Sequence, residues 1–191
     1  MIEFLIRRFV PDWQQVQRTD VRERYGTLAA AVGILSNIFL CIIKGLIGLF
    51  SGSIAVTADA VNNLSDAGSS VITLLAFKIA GKPADEEHPY GHARMEYISG
   101  MAVSFIIILL GLELMGSSFE KILHPEEVGV SALTYLVLIV SIAVKLWQGM
   151  FNRNLGKRIS SEALQATAAD SLNDVFSTGA VLLSTLVYQF T

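Results

Sequence analysis

Five long apolar runs decide what this chain can fold into. They lie at about 27–50, 54–80, 97–118, 130–151 and 162–188. Each is long enough to cross a lipid bilayer as a helix, which takes about 20 residues. Backbone amides have no water to bind inside a bilayer, so a run of this kind becomes a helix. The 191 residues are 52% hydrophobic and only 16% charged, with apolar residues in blocks rather than in short periods. The fold class expected is an all-α membrane protein with a cytoplasmic amphipathic segment at 1–26 and a transmembrane domain at 27–191.

The exclusions are brief. A net charge of −3 without a basic aromatic patch gives no nucleic-acid partner. Cys41 is the only cysteine, so there is no intramolecular disulfide and no multi-cysteine metal site. Charges from Arg7 to Arg24 interrupt the N-terminal residues, so no cleavable signal peptide is visible. Ile2, Leu5 and Phe9 can share a helix face beside Arg7 and Arg8, which suits a membrane surface; the alternative for the first ten residues is a disordered tail.

Orientation follows from the basic residues. With the N-terminus inside, Arg7, Arg8, Arg18, Arg22, Arg24, Lys78, Lys82, Arg94, Lys145, Arg153, Lys157 and Arg158 all lie on the inner side. Only Lys44 and Lys121 fall toward the outside, so the positive-inside rule favours this topology. It makes 81–96 a cytoplasmic loop, 152–161 a basic loop, and Tyr135 and Trp147 interfacial anchors. Thr191 ends the chain directly at a helix end, which predicts a fragment of a longer protein.

Two of the runs contain acids where acids are costly. Asp59, Asn62, Asp66, Ser69 and Thr73 form one polar stripe on the second. Thr167, Asp170, Asp174 and Ser177 form another on the fifth. The i, i+4 pairs Asn62/Asp66 and Asp170/Asp174 each point to one helix face. Asp66 and Asp174 are each 12 residues into their runs, roughly 18 Å deep by helix rise. Antiparallel helices would therefore bring the four together near mid-bilayer. No other run shows an ionisable residue at its centre, so the three carboxylates have no matching base.

Each such acid costs a few kcal/mol to place, and together they repel. A divalent cation relieves both problems; a proton relay or a hydrogen-bonded helix interface is the alternative. The donors are all oxygen, which suits manganese or magnesium better than zinc. Three ionised carboxylates and a neutral amide would leave −1 around M²⁺. The emptied site must hold protons, which gives a basis for metal/proton exchange. Asp59, about 7 Å further out, is either a vestibule relay or an ion-pair partner of Lys44.

Three pieces of the chain, taken in order and spacing, resemble the cation diffusion facilitators. They are the segment from Ser53 to Asp66, the loop Asp85-Glu-Glu-His88-Pro-Tyr-Gly-His92-Ala-Arg-Met-Glu96, and Ala169-Asp170-Ser-Leu-Asn-Asp174. The resemblance covers about 20–191. It implies five helices of a six-helix bundle, with the sixth helix and a cytoplasmic ferredoxin-like domain absent from these residues. It implies a metal/proton antiporter, not an enzyme, that is a homodimer when full-length. It places the transport site at Asn62, Asp66, Asp170 and Asp174. The Asn-x-x-x-Asp plus Asp-x-x-x-Asp set is similar to manganese-transporting members, with Zn²⁺, Fe²⁺ and Co²⁺ as further cargo. Asp85, His88 and His92 resemble a second cytoplasmic metal site; otherwise the loop only hydrogen-bonds, and Glu96 bonds near the start of the third helix. The competing functions are a metal-sensing membrane subunit without transport and an intramembrane hydrolase, for which no Ser/His or His/Glu constellation is present.

Overall fold

The computed structural model describes residues 2–51, 54–123 and 132–190. Among them the regular elements are all helices: α1 Ile2–Phe9, α2 Thr19–Ser51, α3 Ile54–Ala80, α4 Met95–Leu123, α5 Ala132–Ile159 and α6 Glu162–Phe190. The turn at 52–53 and the segment 124–131, with His124 and Pro125, lie outside the described residues.

By length and composition α2, α5 and the Met95–Glu113 part of α4 are apolar enough to cross a membrane. The polar stripes dilute α3 and α6, yet these helices span 27 and 29 residues and match their neighbours. Large apolar side chains such as Leu35, Leu49, Phe50, Phe105 and Leu136 face outward. Polar ones such as Asn37, Ser70, Thr73, Ser141 and Gln148 are buried. That inversion is stable when the surrounding solvent is lipid.

The helices form a closed ring. Hairpin α2/α3 packs against hairpin α5/α6 through α2 and α5, and α4 bridges α3 to α6. Small residues set the approach. A Cβ on Gly156 would lie 3.1 Å from Leu164 Cβ, and one on Gly100 would lie 3.3 Å from the Ala163 backbone. Buried hydroxyls donate back to their own helices, Ser70 to the Asp66 carbonyl at 3.0 Å and Ser171 to the Thr167 carbonyl at 3.0 Å. They therefore enter the interface already satisfied.

Three boundaries differ from the sequence reading. Helix α4 runs on to Leu123, past the expected end at 118. Helix α2 begins at Thr19 rather than 27. The expected basic loop at 152–161 is mostly the last two turns of α5. Phe151, Asn152, Leu155, Gly156 and Ile159 are buried while Arg153, Asn154 and Lys157 are exposed, an amphipathic period that the charges obscure. The true connection is Ser160-Ser161. Ser160 takes φ +51° and the Ser161 amide donates to the Gly156 carbonyl at 2.9 Å, closing α5. Ser161 Oγ then accepts from the Leu164 amide at 3.3 Å and caps α6.

Part of the apolar face of the N-terminal segment is buried in the bundle. Ile6 and Val10 are fully buried, with Ile2 and Leu5 packed beside them, against Tyr25, Phe77, Phe151, Leu155 and Ile159. Phe9, expected on that face, is exposed. Tyr25 Oη donates to the Trp13 carbonyl at 3.0 Å, and Arg158 pairs with Glu3. Trp147 also belongs to this cluster; it stacks on Phe151 with ring centroids 5.4 Å apart rather than anchoring at an interface.

Gly26 lets this core close. A Cβ there would lie 2.0 Å from Phe77 Cγ, inside a fully buried ring. Gly26→Ala is expected to lower stability by about 1–3 kcal/mol, the range for overpacking. Thermal unfolding in detergent checks it, and adding Phe77→Leu restores part of the loss. A single variant melting with the wild type would show that the two helices separate without cost.

Candidate metal centre

Helix α3 carries Asp66 and α6 carries Asp170 and Asp174, one turn apart. One carboxylate oxygen from each lies within 4.8 Å of the others. Asp66 is buried and the other two are partly buried. The helix register produces this meeting. Both helices begin where the sequence places them, so the 12-residue offsets hold and the antiparallel directions match the depths. Asn62, one turn from Asp66 on α3, is half-buried.

The stripe on α6 differs in detail. Ser177 is exposed, and Ser171 and Thr178 are the buried hydroxyls alongside Thr167. On α3 the inward set gains Asn63 and Ser70 beside Ser69 and Thr73.

The expectation of three acids without a base is overturned. Lys145 of α5 is 3% exposed, and its Nζ donates to Asp66 Oδ2 and to Asp174 Oδ2, each at 2.5 Å. It is not an inner-side charge but the fourth charged group of the cluster. With its ammonium the three ionised carboxylates sum to −2, not −3. The available signal was periodicity: Ser141, Lys145, Gln148 and Asn152 step by three or four residues along α5 and are all buried. They form a third polar stripe, with no acid in it to attract notice.

The other buried lysine among the described residues has its own partner. Lys44 Nζ lies 2.7 Å from Asp59 Oδ2, with the lysine 2% exposed. Of the two readings of Asp59, the ion pair is the one observed.

The histidine loop closes on itself. Asp85 Oδ1 accepts from the His88 amide at 2.6 Å, and its two oxygens lie 3.3 Å from His88 Nδ1 and 3.5 Å from His92 Nε2. The amide bond to His88 and the neighbouring imidazoles hold the Asp85 carboxyl below its usual range. His92 Nδ1 lies 3.3 Å from the Pro83 carbonyl, and its Nε2 faces Asp85. One ligand atom from each of the three lies within 4.8 Å of the others. Gly91, at φ +77°, makes the turn between the histidines. Glu96 does not join them. Both of its carboxylate oxygens accept from Arg22 Nη2, at 3.1 and 2.9 Å.

Comparison with known proteins agrees with this architecture. Residues 30–191 match the cation efflux transmembrane domain family. The manganese efflux system protein MneS of Bacillus subtilis is 34% identical over 88% of this chain and 60% of MneS. An uncharacterized transporter of Methanocaldococcus jannaschii is 34% identical over 83% of this chain and 56% of its own. The magnetosome protein MamB of Magnetospirillum gryphiswaldense is 30% identical over 79% of this chain and 51% of MamB. The chain thus spans between half and three fifths of the length of these relatives. A helical ring with a buried cluster of acids, matched by the family over most of its length, identifies the chain as a member of the cation efflux, or cation diffusion facilitator, family of membrane transport proteins.

Proposed function

We propose that this chain is the membrane part of a secondary transporter that exports a divalent cation, Mn²⁺, from the cytoplasm in exchange for protons. The observation that carries the reading is the convergence of Asp66, Asp170 and Asp174 from two helices within 4.8 Å inside an apolar ring. Asn62 supplies the fourth oxygen. All four donors are hard, which favours Mn²⁺ over Zn²⁺, and the printed name of MneS is that of a manganese efflux protein. The basic end of the bundle, with Arg22, Arg24, Lys78, Lys82, Arg153 and Lys157, faces the cytoplasm. Asp85, His88 and His92 at that end act as an outer metal ligand group on the path inward. Exchange follows from charge: an emptied cluster accepts protons that the next ion expels. The full-length protein works as a homodimer in the cell membrane.

The test is ion flux. Full-length protein in proteoliposomes is expected to accumulate Mn²⁺ under an imposed pH gradient, and Zn²⁺ poorly. Asn62→His is expected to shift the Zn²⁺/Mn²⁺ rate ratio upward by about tenfold, because imidazole is the donor zinc prefers. Uptake indifferent to the pH gradient would sink the exchange mechanism. An unchanged ratio in Asn62→His would remove Asn62 from the selectivity filter.

A further inference from the structure

We infer that the ammonium of Lys145 is the resident cation of the metal centre, and that the transported ion binds by displacing it. The inference rests on the proposed transport site at Asp66, Asp170 and Asp174. Lys145 Nζ sits between Asp66 Oδ2 and Asp174 Oδ2, 2.5 Å from each. A metal held between the two helices would draw on the same two carboxylates. Ammonium and M²⁺ therefore compete for one place rather than sharing it. Two like charges inside a low-dielectric core also repel strongly, so the lysine must leave as the ion arrives.

Displacement needs somewhere for the ammonium to go, and the surroundings supply it. Asn37 Oδ1, Asn63 Oδ1 and Ser141 Oγ are buried oxygens without a hydrogen-bond partner. Ser141 is one turn before Lys145 on α5, the direction in which helical side chains lean. Asn37 lies at the same level across the α2/α5 contact. Ser36, its neighbour, donates to Gln148 Oε1 at 3.0 Å, and Gln148 follows Lys145 by one turn on the antiparallel helix. Asn63 precedes Asp66 by three residues and uses only its amide hydrogen, donating to the Asp59 carbonyl at 2.7 Å. Unsatisfied buried acceptors are uncommon. These three, on α2, α3 and α5 beside residues of the polar cluster, form a second berth for its donors. Lys44 lacks this role because it pairs with Asp59, outside the acid cluster.

The consequence is that the empty site is held together by the protein's own charge, and binding exchanges one cation for another across α3, α5 and α6. Lys145 is thus a positioning and selectivity residue: a weak or monovalent ion cannot compete with it, and a divalent one can.

The experiment is calorimetric titration of Mn²⁺ into the full-length protein in lipid nanodiscs at fixed neutral pH, with helicity verified by circular dichroism. The wild type is expected to bind, and Asp66→Asn with Asp174→Asn to bind far more weakly. Binding that survives both replacements overturns the site itself, separately from the lysine. Lys145→Met, which removes the competitor, is expected to tighten Mn²⁺ binding by about tenfold or more. Lys145→Arg is expected to weaken it by about tenfold, because the guanidinium fork holds two carboxylates more firmly than an ammonium does. A lysine that only braces the helices gives the reverse: Arg like the wild type and Met weaker. Any order other than Met tighter than Lys tighter than Arg overturns the proposal. Should Lys145→Met fail to fold, the arginine variant decides alone: wild-type or tighter binding overturns displacement.

Discussion

Asp174→Ala is expected to abolish Mn²⁺ transport and to lower Mn²⁺ affinity by about a hundredfold or more, with Asp66→Ala behaving alike. Each removes one of three carboxylates that lie within 4.8 Å of one another. Each also removes half of the support for a buried ammonium, since Lys145 donates to both acids at 2.5 Å. The alanine variants should therefore lose stability as well as function. Breaking a buried charge pair costs about 3–5 kcal/mol when one partner is left unpaired, and here one carboxylate remains to limit it. Asp→Asn separates the two effects. The amide keeps the shape and accepts from Lys145 but brings no charge to a metal, so stability recovers more than binding. Flux into proteoliposomes and thermal unfolding of the same preparations make the comparison. Transport at wild-type rates in either alanine variant would remove the acid cluster from the ion path.

Arg22→Ala is expected to destabilise the bundle by about 3 kcal/mol, at the low end for a buried pair because the arginine side chain keeps 29% exposure. The Glu96 carboxylate it leaves behind is only 10% exposed. Arg22 Nη2 reaches both Glu96 oxygens at 3.1 and 2.9 Å, and Nη1 donates to the Ile159 carbonyl. One guanidinium thereby ties the start of α2 to the start of α4 and the end of α5. Arg22→Lys should lie between, since a single ammonium cannot fork onto a carboxylate and reach a carbonyl together. Glu96→Gln in the Arg22→Ala background should recover part of the loss by removing the stranded charge. The melting temperature of each purified variant in detergent reports the order. If Arg22→Ala melts at the wild-type temperature, the fork is an ornament of the surface and α4 is held elsewhere.

Much of this protein is written locally. Apolar runs of bilayer length dictate helices, because no other backbone arrangement satisfies its own amides in lipid. The spacing of Asn62 with Asp66 and of Asp170 with Asp174 fixes their faces, and the starts of α3 and α6 fix their depths. These are consequences of 3.6 residues per turn and 1.5 Å per residue, so counting along the chain recovers them. The resemblance of the loop around His88 and His92 is carried by consecutive residues in the same way.

Charge is different, because its meaning depends on what lies opposite. Lys145 stands near three other basic residues in sequence and reads as part of an inward-facing edge. Its two partners are 79 and 29 residues away, and only closure of the ring, with α5 packed on α2 and α6, brings it to them. Arg153, Lys157 and Arg158 read as a loop because their charges mask the period of Phe151, Leu155 and Ile159, which becomes visible once α1 covers that face. The sequence by itself determined the helices, the depth of the acids and the chemistry of their oxygens. Only the tertiary structure decided that the acids already hold a cation of the protein's own. A lysine side chain long enough to snorkel is also long enough to turn inward, and the choice depends on which helix lies within its reach.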